Sequence, residues 1–253
     1  AGWSRLESFG ITCQEFPRSY KDGIDVLCSS ISDLSGVNNL MIKITLSSEM
    51  PGVYIRPLGT ALARHQNLKG LDISFCQLTR IADRDLSPCF DALKLMKGLE
   101  SLELDLTGCE GISEEAFLSL TDALANLTKL NTFHFYLTAD QIVNNFALRK
   151  FSHALGKLEN LTDLKLAFGI AVSNPLDDDI IPWQNITKEG ICDLSDALCK
   201  LRRLRSLDLL LESFLSLRDD TITYFSSCLM KLINLKKIEL NFSKCLNIEE
   251  KGK

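Results

Sequence analysis

Apolar residues follow the pattern Leu-x-x-Leu-x-Leu at a nearly constant spacing along the whole chain. The copies begin at Leu6, Val37, Leu68, Leu99, Leu130, Leu161, Leu204 and Leu235. Successive copies start 31 residues apart, except between Leu161 and Leu204, where the separation is 43 residues. A fixed period of this length is typical of proteins that stack one small structural unit. The pattern therefore predicts a single array of about eight units over residues 1–253, with one insertion of twelve residues.

Each copy contains two different hydrophobic periods. Apolar and other residues alternate over segments such as 102–106, and a period of two predicts a short strand with one buried face. Segments such as 117–127 instead place apolar residues three and four positions apart, which is one stripe of an amphipathic helix. Each unit is predicted to be a strand, a loop, a helix and a loop. The strands would form a parallel sheet on one side of the array, and the helices would cover the other side.

The helices have recognisable starts and a small residue within the buried stripe. Ser113, Thr138 and Thr187 are predicted N-caps, because a hydroxyl oxygen can accept a bond from a free N–H group of the first turn. Thr138 and Gln141 also have the spacing of a capping box. The small residues, where a helix is expected to lie close to the sheet, are Ser30, Ala61, Ala92, Ala123, Ala154, Ala197 and Cys228.

The segment from Leu68 to Leu78 reads Leu-Lys-Gly-Leu-Asp-Ile-Ser-Phe-Cys-Gln-Leu and resembles the leucine-rich-repeat signature L-x-x-L-x-L-x-x-N/C-x-L. With a full helix in each unit, the chain is most similar to the ribonuclease-inhibitor-like subclass, although its 31-residue unit is longer than usual. The resemblance implies an α/β solenoid in the shape of an arc, with the parallel sheet on the concave face. It implies little about function, because the subclass contains inhibitors, immune receptor domains, GTPase-activating proteins and cytoskeletal scaffolds.

Composition narrows the classes of partner. The 253 residues include 45 leucines, 24% charged residues and a net charge of −5, and the basic residues are spread along the chain. Nucleic acid is therefore not expected as the main partner, because phosphate binding needs clustered Lys and Arg. We also expect no membrane span, because no apolar run approaches about 18 residues. The nine cysteines form no C-x-x-C pair or zinc-ligand spacing, which predicts free thiols in a reducing, cytoplasmic compartment.

Candidate chemistry is sparse in this sequence. There are three histidines, and His65 falls on a helix stripe, so it is expected to be packed beside a polar neighbour. His134 is expected on the open face of its strand, with no nucleophile in a known motif beside it. No phosphate-binding, dinucleotide-binding or H-E-x-x-H motif occurs. We therefore expect no enzyme activity, no cofactor and no metal site.

The residues that alternate with the core leucines are predicted to line the concave face, where repeat proteins bind extended partners. Those expected to contact a partner are Asp72, Glu103, Asp105, His134, Tyr136, Lys165, Asp208, Leu210 and Glu239. Asp72, Glu103 and Asp105 form a predicted acidic patch beside Tyr136 and His134 that could receive a basic or mixed segment of another protein. The alternative is a solvated face whose charges only keep the array soluble.

The twelve-residue insertion is placed by the repeat register at about residues 171–183. It contains three consecutive aspartates, Asp177 to Asp179, followed by Ile180, Ile181 and Trp183. Insertions in repeat proteins collect on one rim, and an exposed Trp is a favoured anchor for a partner. Ile180, Ile181 and Trp183 are therefore further candidates for partner binding. The alternative is that Trp183 covers the edge of the core, and consecutive aspartates do not match the ligand spacing of a calcium loop.

Together these features predict a noncatalytic scaffold for protein interactions, bound through the concave face and the 171–183 loop as a subunit of a larger complex. A GTPase-activating or other regulatory repeat domain is the first alternative, and the substrate receptor of a ubiquitin ligase is the second. No residue points to a cytoskeletal or ciliary association. Neither end shows the polar unit that usually caps a solenoid, so we expect a segment of a longer array or one capped by a partner.

Overall fold

The computed structural model describes residues 6–14, 20–34, 36–45, 51–138, 143–169, 185–245 and 247, without the side chains of residues 20–22. The strands in this part of the chain are β1 (Ser8–Gln14), β2 (Asn39–Thr45), β3 (Gly70–Ser74), β4 (Ser101–Asp105), β5 (Thr132–Leu137), β6 (Asp163–Phe168), β7 (Ser206–Leu211) and β8 (Lys237–Asn241). The helices are α1 (Tyr20–Asp33), α2 (Arg56–Leu62), α3 (Asp83–Leu95), α4 (Glu114–Leu124), α5 (Asn145–Leu155), α6 (Lys188–Leu198) and α7 (Asp219–Leu229), with a 3₁₀ turn at Gly52–Tyr54 before α2.

The eight strands form one parallel sheet in the order of the sequence. Each strand pairs with the next. Each of β1 to β7 is followed by a helix, and these helices cover one side of the sheet. This is the predicted α/β solenoid, a fold of the leucine-rich-repeat type. The strands begin two residues after the leucine that opens each copy. Leu68, for example, is fully buried in the turn, and the paired strand begins at Gly70.

One hydrophobic core runs through the array between the sheet and the helices. A cluster of five phenylalanine rings lies where α5 packs on β5 and β6. The ring of Phe151 is 5.9 Å from Phe135 and 6.0 Å from Phe168, and it also contacts Phe117 and Phe133. These rings bury a large apolar area in the centre of the described chain, and they fix α5 against the sheet.

The small residues predicted within the helix stripes are buried in every helix except α1. Ala92, Ala123, Ala154 and Ala197 are at most 3% exposed, as a close approach of helix and sheet requires. Ser30 is exposed, so the prediction for the first helix is wrong. In α1 the buried residues Ile24, Leu27, Cys28 and Ile31 form the inward stripe, and that stripe turns Ser30 away from the sheet.

Two of the three predicted N-caps occupy the cap position. Ser113 caps α4 and accepts a hydrogen bond from the N–H of Glu115, as predicted. Thr187 stands at the cap of α6, but its hydroxyl accepts from the Asn145 amide and donates to the Glu189 carboxylate, and it accepts no bond from a backbone N–H of the first turn. The prediction for Thr138 is wrong, because α5 is capped by the side chain of Asn144, which accepts from Ala147 N at 3.0 Å.

The side chain of Thr138 joins two loops instead of capping a helix. Its hydroxyl oxygen accepts a hydrogen bond of 2.6 Å from the backbone N–H of Gly108, in the loop that follows β4. A threonine six residues before the true cap therefore ties two neighbouring loops together. The spacing of a capping box depends only on local sequence. In the structure the same Thr138 hydroxyl is bonded to the loop of the preceding unit instead.

The remaining chemistry-bearing residues are largely structural. His65 is buried, and its Nε2 lies 2.7 Å from the carbonyl oxygen of Ile31, which confirms a packed histidine beside a polar neighbour. All nine cysteines lie in the described residues and are free thiols. None of the described helices is both long enough and apolar enough to cross a membrane.

Candidate functional site

The side of the sheet that faces away from the helices carries three rows of side chains, and we call it the open sheet face. The first row is Ser8, Asn39, Gly70, Ser101, Thr132, Asp163, Ser206 and Lys237. The middle row is Gly10, Met41, Asp72, Glu103, His134, Lys165, Asp208 and Glu239. The third row is Thr12, Lys43, Ser74, Asp105, Tyr136, Ala167, Leu210 and Asn241. These rows follow from the strand register, because alternate residues of a strand point to the same face.

Most charges of the middle row are paired with a neighbour on the same face. The ammonium group of Lys43 lies 2.9 Å from Asp72 Oδ2, and that of Lys165 lies 2.8 Å from Asp208 Oδ2. Near the far edge, Lys237 contacts Glu239 at 3.0 Å. The insertion between β6 and β7 leaves this register intact, because Lys165 still stands opposite Asp208.

His134 occupies the centre of the row between two carboxylates. Its Nδ1 lies 3.6 Å from Glu103 Oε2, and its Nε2 lies 3.3 Å from Asp163 Oδ2. The adjacent Glu103 carboxylate raises the pKa of His134 above its ordinary value, and Asp163 adds to this effect. The same contact lowers the pKa of Glu103. The two side chains therefore favour each other's charged form.

Asp72 is a partly buried carboxylate of the predicted patch, with 25% of its side chain exposed. Burial raises its pKa, an effect that outweighs the opposing ion pair with Lys43, and the nearby Glu103 raises it further. Its Oδ2 contacts Lys43, whereas its Oδ1 is buried without a hydrogen-bond partner in the described part of the chain. Lys43 beside Asp72 and protonated His134 beside Glu103 therefore offset part of the negative charge of the predicted acidic patch.

Asp105 is held differently from the other acids of this face. Its Oδ2 accepts a hydrogen bond of 3.2 Å from the hydroxyl of Ser74, and its Oδ1 accepts one of 2.9 Å from the N–H of Thr107. Both donors are neutral, and no basic side chain of the described residues forms an ion pair with it. Asp105 therefore keeps its negative charge available on the third row.

Next to Asp105 the third row becomes apolar. Tyr136, Ala167 and Leu210 follow on β5, β6 and β7 in direct register. All three are partly exposed, and Ala167 is the smallest of them. The ammonium group of Lys165 lies over the Tyr136 ring, 5.5 Å from its centre, in the geometry of a cation–π contact.

The structure brings eight of the predicted residues together on five adjacent strands. These are Asp72, Glu103, Asp105, His134, Tyr136, Lys165, Asp208 and Leu210. Glu239 lies on β8, at the edge of the described sheet. Ile180, Ile181 and Trp183, with the whole 171–183 loop, lie outside the described residues.

Two partners were not among the predicted site residues. Lys43 pairs with Asp72, and Asp163 pairs with His134. In both pairs the two residues are 29 positions apart, which is the diagonal between neighbouring units in an array of 31-residue repeats. That offset is visible in the sequence and marks both pairs as diagonal neighbours, whereas the contacts themselves depend on the tertiary structure.

Two clefts lie on the helix side of the described residues. A cleft of about 490 Å³ between α3 and α4 is lined by Asp83, Arg84 and Glu115 among others. A second cleft, of about 580 Å³, lies beside Cys28, Val53 and Arg64. Within the described residues no group of three or more His, Cys, Asp or Glu side chains could hold a metal ion.

Comparison with known proteins adds little to this description. No protein-family model matches the chain, and no curated protein matches it significantly. Among solved structures, the tropomodulin C-terminal domain of Caenorhabditis elegans is 16% identical with a TM-score of 0.45, over 73% of this chain and 92% of that domain. A leucine-rich-repeat protein of Leptospira interrogans is 13% identical with a TM-score of 0.16, over 98% and 92% of the two chains. The assignment to the leucine-rich-repeat type of fold therefore rests on the repeat and the strand register of this chain itself.

Proposed function

We propose that this chain is a noncatalytic protein-binding module of the ribonuclease-inhibitor-like subclass. A protein partner would bind the open sheet face, with the 171–183 loop contributing at the rim, within a larger assembly. The partner segment would be basic or mixed in charge. The nine free thiols support a reducing compartment such as the cytoplasm, because secreted proteins commonly pair their cysteines.

The observation that carries the proposal is the contiguous set of side chains on β3 to β7. Carboxylates, a histidine, a lysine, a tyrosine and a leucine are partly exposed there on a rigid sheet. Backbone hydrogen bonds fix the spacing between strands at about 4.8 Å, so these groups are presented in a set geometry. A face with polar, charged and aromatic groups in fixed positions suits a specific protein contact, in which a few anchors carry most of the binding energy.

The test is a cross-linking experiment with matched variants. A photoreactive amino acid replaces Lys165 on the open sheet face, and in a second protein it replaces His153, which is exposed on α5. We expect a discrete cross-linked protein product from position 165 and none from position 153. The triple variant Asp72→Asn, Glu103→Gln, Asp105→Asn should abolish the product, because it removes three negative charges from the face.

The control removes the same charge elsewhere. Asp91→Asn, Asp122→Asn and Glu159→Gln change three exposed acids outside the open sheet face. This variant should cross-link like the unmodified chain. A product that persists in the first triple variant, or that is lost equally in both, would contradict the proposal. Faster GTP hydrolysis by a small GTPase on addition of the chain would favour the regulatory alternative instead.

A further inference from the structure

The third row of the open sheet face changes character from one strand to the next. Its polar half on β1 to β4 is Thr12, Lys43, Ser74 and Asp105, where Lys43 is already paired with Asp72. Tyr136, Ala167 and Leu210 make its apolar half on β5 to β7, before Asn241 on β8. Ala167 ends at its methyl group and stands in register between the much larger Tyr136 and Leu210, so the sizes of these side chains leave a step above β6 that we call the depression. A large apolar side chain placed there would contact both of its walls.

The charges around this row are arranged asymmetrically. Asp105 has only neutral hydrogen-bond partners, so a cation placed beside it gains an ion pair without displacing another base. At the other end Lys165 lies two residues before Ala167 on the same face and is already paired with Asp208. A second cation near Ala167 would be repelled by Lys165. The row therefore favours a positive charge at its β4 end and an uncharged apolar group at its β6 end.

We propose that this row binds an extended segment of a partner protein that carries a basic residue and, three positions away, a large apolar residue. The basic side chain pairs with Asp105, and the apolar side chain fills the depression above Ala167. This inference rests on the function proposed above, because it specifies the occupant of the same face.

The spacing follows from the sheet. Asp105 and Ala167 are two strands apart in register, and two strand separations amount to about 10 Å. A polyproline-like segment advances about 3.1 Å per residue with three residues per turn, so residues three apart lie on one side of it, about 9 Å from each other. A segment crossing the strands along the row can therefore place both side chains at once.

The experiment selects ligands without assuming a partner. A library of random twelve-residue peptides displayed on phage is panned against the full 253-residue chain, and enriched peptides are synthesised for affinity measurement by fluorescence anisotropy. We expect the enriched peptides to share a Lys or Arg three residues from Leu, Met, Phe or Ile. Asp105→Asn, which keeps an oxygen for the N–H of Thr107, should weaken their binding about fivefold. Ala167→Gln, which fills the depression with a polar group, should weaken it about tenfold.

Controls separate this inference from the proposed function. Glu159→Gln removes one negative charge outside the open sheet face and should leave binding unchanged. Circular dichroism of each variant checks that the array is folded. Peptides that respond to Asp72→Asn and Glu103→Gln but not to the changes at Asp105 and Ala167 would overturn the inference and leave the proposed function standing. Peptides whose affinity is unchanged by every open-face substitution would contradict both the inference and the proposed function. A selection that enriches no sequence would overturn the inference alone, because the cross-linking experiment tests the proposed function separately.

Discussion

His134 Nδ1 lies 3.6 Å from Glu103 Oε2, across the boundary between β4 and β5. Because this contact raises the pKa of His134 and lowers that of Glu103, the pair couples the stability of the array to pH. Protonated His134 stabilises the fold below its ordinary pKa of 6.5, and this contribution is lost as the pH rises through its raised pKa in the folded chain. The Glu103 carboxylate contributes above its ordinary pKa of 4.5, and this is lost as the pH falls through its lowered pKa.

The first prediction follows from this pair. Glu103→Gln should lower the free energy of unfolding most between pH 4.5 and 6.5, and the deficit should shrink at higher pH as His134 loses its proton in both proteins. Urea unfolding at several pH values measures the difference, and NMR titration of the His134 ring should show its pKa falling in the variant. Glu239→Gln serves as the control. An unchanged His134 pKa in Glu103→Gln would contradict the assignment of its main partner.

The second prediction compares two phenylalanines of α5. Phe151 is fully buried among four aromatic rings, so Phe151→Ala should cost about 3–5 kcal/mol of unfolding free energy. Phe146 is 55% exposed and contacts Lys150, so Phe146→Ala should change stability by no more than about 0.5 kcal/mol. Chemical denaturation of both variants checks the contrast. Equal losses would mean that α5 is not packed on the sheet in this orientation.

A third prediction concerns Asp85, a buried carboxylate of α3. Its Oδ2 accepts from the N–H of Ala82 at 3.0 Å, and its Oδ1 accepts from Arg56 Nε at 2.7 Å, so it ties the start of α3 to α2. Asp85→Ala should cost about 1–3 kcal/mol, because it leaves the N–H of the N-cap residue Ala82 without its partner. Asp91, on the same helix, is exposed and pairs with Lys94, and Asp91→Ala should cost at most about 0.5 kcal/mol.

Thermal unfolding of the two aspartate variants makes this comparison directly. The outcome that contradicts it is a melting temperature for Asp85→Ala no lower than that of Asp91→Ala. Restoring an acceptor with Asp85→Asn should recover part of the loss, since an amide oxygen can still accept from Ala82 while the charge opposite Arg56 is absent.

The fourth prediction concerns the edge of the described sheet at β8. Met230 is 78% exposed, Ile233 83% and Ile238 45%, and β8 is an edge strand of that sheet. Exposed apolar groups beside a strand edge favour association. We therefore expect a concentration-dependent oligomer in sedimentation velocity, and Met230→Lys with Ile233→Lys should lower its fraction. Val26→Lys with Leu95→Lys adds the same charge at exposed apolar positions of α1 and α3, and it should have a smaller effect. An equal effect of the two pairs would point to net charge as the cause.

The repeat predicted the layout of the fold because its information is local. The period of two placed Leu102 and Leu104 inward, and the 31-residue spacing placed Asp72, Glu103 and His134 side by side. Prediction failed where a side chain had two competing partners. Thr138 has the spacing of a cap, yet it binds Gly108 of the neighbouring loop, and Asn144 takes the cap.

The sequence by itself determined the α/β solenoid, the identity of the open sheet face and the register of its rows. Only the tertiary structure decided how the charges of that face are distributed. Asp72 and Asp105 are both acids of the open sheet face, two positions apart in the register of two successive units, yet Asp72 pairs with Lys43 while Asp105 is held by Ser74 and Thr107. The reason is physical: periodicity fixes the direction of each side chain, whereas the partner it meets depends on the lengths and positions of side chains on the neighbouring strands.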